Sequence, residues 1–237
     1  MQTNEPMTAA KACVEERFPD AKLAVLGGST ASGLWNVKSD LDIVIIDDTE
    51  PYPFRQSFMY GSWPVEVFLM TSRTYMHFFE ESVEKANPTL LRLVAQGKVL
   101  VDHGIGEPLI RKAAKLLQDG PGEAGFGELD ELRYWVTEQL EDFAEASDPG
   151  EALFSLHKLT DQLQRLILRS KGCWTGDGKW IARCLKEADE PLYLRLISAL
   201  EAYHRDGRKE PILALAEDVL EPLGGRFFEG YMAITYK

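Results

Sequence analysis

The chain has 237 residues, 45% of them hydrophobic and 27% charged, with no long low-complexity tract; this excludes a disordered protein and leaves room for one large domain or two small ones. A formal net charge of −12 argues against strong nucleic-acid binding, which depends on Lys and Arg neutralising phosphates. Cys13, Cys173 and Cys184 are widely spaced, and so are His77, His103, His157 and His204, so neither a disulfide framework nor a zinc site is expected.

The first half alternates helical patterns with short apolar runs. Residues 8–18 read as a helix with Ala9, Ala10, Cys13 and Val14 on one stripe and Thr8 as cap. AKLAVLGG (21–28) reads as a buried strand ending in glycines, and a helical turn capped by Ser29 or Thr30 is expected next. LDIVII (41–46) and VEVFLM (65–70) are two further strands, the first rich in β-branched residues. A helix over 71–85 with a Thr71 or Ser72 cap follows. Then come a short helix over 87–97, punctuated by Pro88 and Gly97, a strand at 98–102 and a helix from 107 to 118.

At 119–128 the composition changes: Gly120, Pro121, Gly122, Gly125 and Gly127 mark a domain boundary. Beyond it the patterns are helical, over 128–147, 151–171, 178–188, 190–205 and 208–220. The expected fold class is therefore α+β, a small mixed sheet with flanking helices on one side (residues 1–120), followed by an all-α helical bundle (128–237). No basic start followed by an apolar core opens the chain, and no apolar run reaches the ~18 residues of a membrane span, so a soluble cytoplasmic protein is expected.

The segment GGSTASGLWNVKSDLDIVII, residues 27–46, carries the chemistry. Asp40 and Asp42 flank Leu41 at a strand start, and side chains two apart on a strand point to one face, so both carboxylates aim at one place. Adjacent carboxylates repel unless a cation lies between them, and oxygen-only ligands suit Mg²⁺ or Mn²⁺. Gly28 lets backbone approach a phosphate, and the N–H groups and hydroxyl at Ser29 can bind its oxygens. Glu66, a charge inside an apolar strand, supplies a third carboxylate if its strand lies beside 41–46. Three carboxylates and two metals about 4 Å apart are one solution for in-line phosphoryl or nucleotidyl transfer.

An apolar strand, Gly-Gly-Ser, ten residues, Asp-x-Asp and a third acid on the following strand together resemble the DNA polymerase β-like nucleotidyltransferase superfamily, over about residues 8–102. The look is closest to the small bacterial branch of aminoglycoside, streptomycin and lincosamide nucleotidyltransferases, which also pair a compact catalytic domain with a helical bundle. The resemblance implies nucleotide phosphates at Gly28, Ser29 and Ser39. It implies a metal held by Asp40, Asp42 and Glu66, with Glu66 also taking the proton of the acceptor hydroxyl. It implies ATP or another NTP as co-substrate, a small-molecule acceptor and a homodimer in some members. A nucleotidyltransferase acting on protein or RNA, and a catalytically silent nucleotide- or partner-binding module of a toxin–antitoxin type, are the alternatives.

Two features of the second half bear on the same site. CWTGDGKW (173–180) is a Gly-rich loop in which Lys179 is a candidate phosphate contact, although its tryptophans read first as anchors of the bundle. Glu138, Glu141, Asp142 and Glu145 share one helical face and read as a solvated stripe before an acidic pocket for a cationic acceptor.

Overall fold

The structure, a computed structural model, describes residues 5–233. The ends of the two expected domains, 1–4 and 234–237, lie outside the described residues. The chain divides into two compact units, Met1–Pro121 and Gly122–Lys237.

The first unit runs α1 (Pro6–Arg17), β1 (Leu23–Leu26), α2 (Gly28–Ala31), β2 (Leu41–Ile46), β3 (Phe54–Tyr60), β4 (Trp63–Met70), α3 (Tyr75–Glu84), α4 (Thr89–Ala95), β5 (Lys98–Asp102) and α5 (Gly106–Asp119). The helix expected over 8–18 starts earlier, because Pro6 needs no backbone N–H partner in the first turn; Thr8 lies inside the helix and caps nothing. Likewise α2 begins at Gly28 rather than after a Ser29 or Thr30 cap, and α3 begins at Tyr75, after a turn in which Thr71 and Thr74 bond each other.

The five strands form one mixed sheet in the order β3-β4-β2-β1-β5. β1 pairs antiparallel with β2 and β5, β3 antiparallel with β4, and β2 parallel with β4. The parallel pair requires the chain to leave β2, travel to the sheet edge and return. β3 is that return, and a two-residue turn at Gly61 and Ser62 brings the chain back as β4. Sequence periodicity did not single out β3, since the apolar residues of FRQSFMY do not alternate with polar ones and none of its positions is buried; the Gly-Ser pair between two strand-like runs was the available signal.

Strand alternation sorts the core. Ala24, Leu26, Leu41, Ile43, Ile45, Val65, Val67 and Leu69 pack with Ala9, Ala10, Cys13 and Val14 of α1. Leu23, Val25, Val44 and Ile46 alternate with them, so they face the other way, and they too are buried. α4 packs on β1 and β2 and is flanked by α3 and α5. Helices therefore cover both faces of the sheet, a correction to the one-sided arrangement expected: β2 reads LDIVII because each of its faces is covered.

The second unit is helical: α6 (Glu128–Glu145), α7 (Pro149–Ser170), α8 (Lys179–Ala188), α9 (Glu190–Asp206), α10 (Glu210–Leu220) and a 3₁₀ turn (Glu221–Leu223). Val136, Leu140, Phe143, Leu156, Leu159, Leu163 and Leu166 make its core at helical spacing. Asp148 and Asp189 cap α7 and α9 by accepting from backbone N–H groups. Among the described residues, no helix is long and apolar enough to cross a membrane.

Candidate active site

β2 is buried along its length except at Asp42, which is half-buried. The parallel register sets Asp42 opposite Glu66 on β4, so the two side chains leave the same face of the sheet. β4 is an interior strand, which makes Glu66 a charge held over the sheet rather than an edge contact with solvent. Asp40 precedes β2 by one residue, and one oxygen from each of Asp40, Asp42 and Glu66 lies within 4.8 Å of the others. The chemistry of this donor set, three half-buried carboxylates at that spacing, fits a hard divalent cation such as Mg²⁺ or Mn²⁺.

The two glycines before the acids have different jobs. The Gly27 N–H donates to the Asp42 carbonyl at 2.8 Å, which extends the β1–β2 ladder to the turn. A side chain at Gly27 would strike Leu93 of α4, so that glycine lets the helix approach. At Gly28 φ is +68°, and a Cβ there would fall on the Asp42 carboxylate. Gly28 thus leaves the space in which the Asp42 carboxylate stands. That is a steric reason for the glycine in addition to the expected approach of phosphate.

Ser29 and Ser39 meet across the loop that separates the glycines from the acids, with the Ser29 hydroxyl donating to the Ser39 hydroxyl at 3.4 Å. The Ser39 hydroxyl also accepts from the Asn36 N–H at 2.9 Å, and the Lys38 N–H donates to the Asn36 carboxamide oxygen at 2.8 Å. The loop is therefore folded back by its own polar groups, and Ser39 stands directly before Asp40. Five residues of the sequence-derived set converge in this way, Ser29, Ser39, Asp40, Asp42 and Glu66, with Gly28 against Asp42. Lys179 belongs to the second unit, where it is exposed at the first position of α8.

Arg55 is the residue that sequence reasoning missed. It lies on β3 opposite Phe68, its Nη2 donates to Glu66 Oε2 at 2.7 Å, and its guanidinium lies over the Phe68 ring, 4.9 Å from the centroid. Nothing in the spacing of Arg55 and Glu66 marks them as partners; only the β3–β4 hairpin brings them together.

In the second unit, Trp174 and Trp180 of CWTGDGKW are half-buried, and Arg183 lies over the Trp180 ring. On the acidic face of α6, Glu141 pairs with Arg226 at 3.0 Å, while Asp142 and Glu145 are exposed.

Residues 7–97 match the family of the nucleotidyltransferase domain. That segment contains every residue of the acidic site and ends just before β5. The crystal structure of a nucleotidyltransferase-like protein from Exiguobacterium sibiricum 255-15 aligns over 91% of this chain and 74% of that chain, at 16% identity and a TM-score of 0.48. No curated protein matches the chain.

Proposed function

We propose that the chain is a metal-dependent nucleotidyltransferase that moves an NMP, AMP from ATP, to a hydroxyl of a small molecule and releases pyrophosphate. The observation that carries this reading is the convergence of the Asp40, Asp42 and Glu66 oxygens, inside the segment that matches the nucleotidyltransferase domain. Asp40, Asp42 and Glu66 hold the cation, Mg²⁺ or Mn²⁺. A divalent cation bound there supplies charge neutralisation to the triphosphate and to the departing pyrophosphate. Gly28 leaves room at the backbone, and the Ser29 and Ser39 hydroxyls, on opposite sides of the loop, are hydrogen-bond donors for phosphate oxygens. Glu66 accepts the proton of the acceptor hydroxyl. The acceptor oxygen then bonds to the α-phosphorus while the bond from that phosphorus to the β-phosphate oxygen breaks in line with it.

An antibiotic-like acceptor follows from the resemblance of the motif to the aminoglycoside and lincosamide branch. The net charge of −12 favours such an acceptor over RNA, whose phosphates the chain would repel. A cytoplasmic enzyme, with a homodimer as its assembly, completes the reading.

The test is calorimetric titration of each NTP with and without Mg²⁺, on the wild type and on Asp42→Asn, followed by a pyrophosphate-release screen over hydroxylated acceptors. Nucleotide binding that requires Mg²⁺ and disappears in Asp42→Asn is the expected result. Metal-independent binding that survives the substitution would make the chain a nucleotide-binding module without turnover and overturn the reading.

A further inference from the structure

Within the acidic group, Glu66 faces a cation of the protein itself. Arg55 reaches it from the sheet edge, and both sides of the guanidinium are engaged: one with the Glu66 carboxylate at 2.7 Å, the other with the face of the Phe68 ring. The geometry follows from register. Arg55 is paired with Phe68 and Ser57 with Glu66, so Arg55, Phe68 and Glu66 leave the same face of the β3–β4 hairpin. The Arg55 side chain is 62% exposed, so it can leave Glu66 for solvent without opening the core.

We propose that Arg55 is a positioning residue for metal entry: it serves as the counter-ion of Glu66 until a divalent cation arrives, and the Arg55–Glu66 pair opens as the cation binds. The inference rests on reading Asp40, Asp42 and Glu66 as the metal site. Its physical basis is competition for one carboxylate. An oxygen that accepts a short charge-assisted bond from a guanidinium has that lone-pair direction occupied. If the cation instead takes the other Glu66 oxygen, the guanidinium is left close to a doubly positive ion, which favours its departure. With no metal present, the same pair neutralises one of three mutually repelling carboxylates and keeps Glu66 over the sheet rather than splayed toward water. Phe68 gives the guanidinium a resting surface beside the carboxylate.

The experiment is a double-mutant cycle read as Mn²⁺ affinity, by calorimetry or by the spin-resonance signal of free Mn²⁺, with no turnover required. Four proteins are compared: wild type, Arg55→Gln, Glu66→Gln and the double variant, each checked for native circular dichroism. Arg55→Gln lies on an exposed edge, which keeps the fold intact. Arg55→Gln is expected to tighten Mn²⁺ binding by up to about fivefold, the upper end of the range for an exposed ion pair. In the Glu66→Gln background, the same substitution is expected to change the affinity by less than about twofold. Equal tightening in both backgrounds would mean that Arg55 acts only through its general positive field, and would overturn the proposal. Weaker binding by Arg55→Gln would overturn it too. Absence of Mn²⁺ binding in all four proteins would overturn the metal-site reading itself, and the Arg55 role with it, whereas a wild type that binds Mn²⁺ and an Arg55→Gln variant that binds it equally well would overturn the Arg55 role alone.

Discussion

At Gly28 the missing Cβ is what gives the Asp42 carboxylate its room. The residue combines a φ of +68° with direct apposition to the Asp42 carboxylate. Gly28→Ala is therefore expected to cost ~1 kcal/mol from the left-handed backbone alone. It should also displace the Asp42 side chain, so Mn²⁺ and nucleotide binding should be lost in calorimetry while thermal unfolding moves by only a few degrees. Gly27→Ala should behave in the opposite way. Its added methyl meets Leu93 of α4, so the melting temperature should fall before metal affinity does. Both glycines were legible as a motif, but their division of labour was not, because the sequence holds no record that Leu93 returns against one and Asp42 against the other.

At the scale of elements, Asp48 ties together the ends of three strands. Its carboxylate accepts from Lys22 Nζ at 2.6 Å, just before β1, and from the Ser72 N–H at 2.7 Å, just after β4; Asp48 itself follows β2. The Lys22 hydrogen bond, and after it the Ser72 N–H, lower the Asp48 pKa from 3.8 to about 2. A carboxylate whose pKa is lower in the folded chain stabilises the fold above its unfolded pKa, and that contribution is lost as pH falls through the folded one. The wild type should thus exceed Asp48→Asn in stability by ~1 kcal/mol above pH 4, the figure discounted for the exposure of the pair. The gap should close between pH 4 and pH 2. Parallel urea titrations at pH 6, 4 and 2.5 measure this, and a gap that stays constant with pH would show that the Asp48 charge contributes nothing. β2 and β4 were each recognised from their apolar patterns, yet their parallel pairing depends on β3, an exposed edge whose sequence lacks clean alternation.

At the scale of the whole chain, each of the two units carries its own core, and the second is closed at one end by a buried charge. Arg169, 5% exposed, donates to the Glu128 carboxylate and to the Gly122 and Glu123 carbonyls. It thereby pins the segment that enters α6 to the end of α7. The hydrogen bond from Arg169 holds the Glu128 carboxyl below its usual range. Arg169→Ala should cost ~2 kcal/mol, because it removes a buried guanidinium with its charge-assisted hydrogen bonds and the packing of its stem. A chemical-denaturation midpoint followed by circular dichroism reads this, and a shift equivalent to less than ~1 kcal/mol would mean that water replaces the guanidinium without penalty.

The sequence by itself determined the classes of element and the chemistry available. Alternating and helical apolar patterns mark which segments must be covered, glycines mark where backbone must pass closely, Asp42 and Glu66 stand out as charges inside apolar strands, and Asp40 stands out as a second carboxylate two positions from Asp42. Tertiary structure alone decided the convergence. The parallel register placed Glu66 beside Asp42, 24 positions away in the chain, and the β3 edge strand delivered Arg55 to Glu66. Local propensity acts over a few residues, whereas strand pairing is set by which faces can be buried together, and that competition is settled only when the whole sheet is assembled.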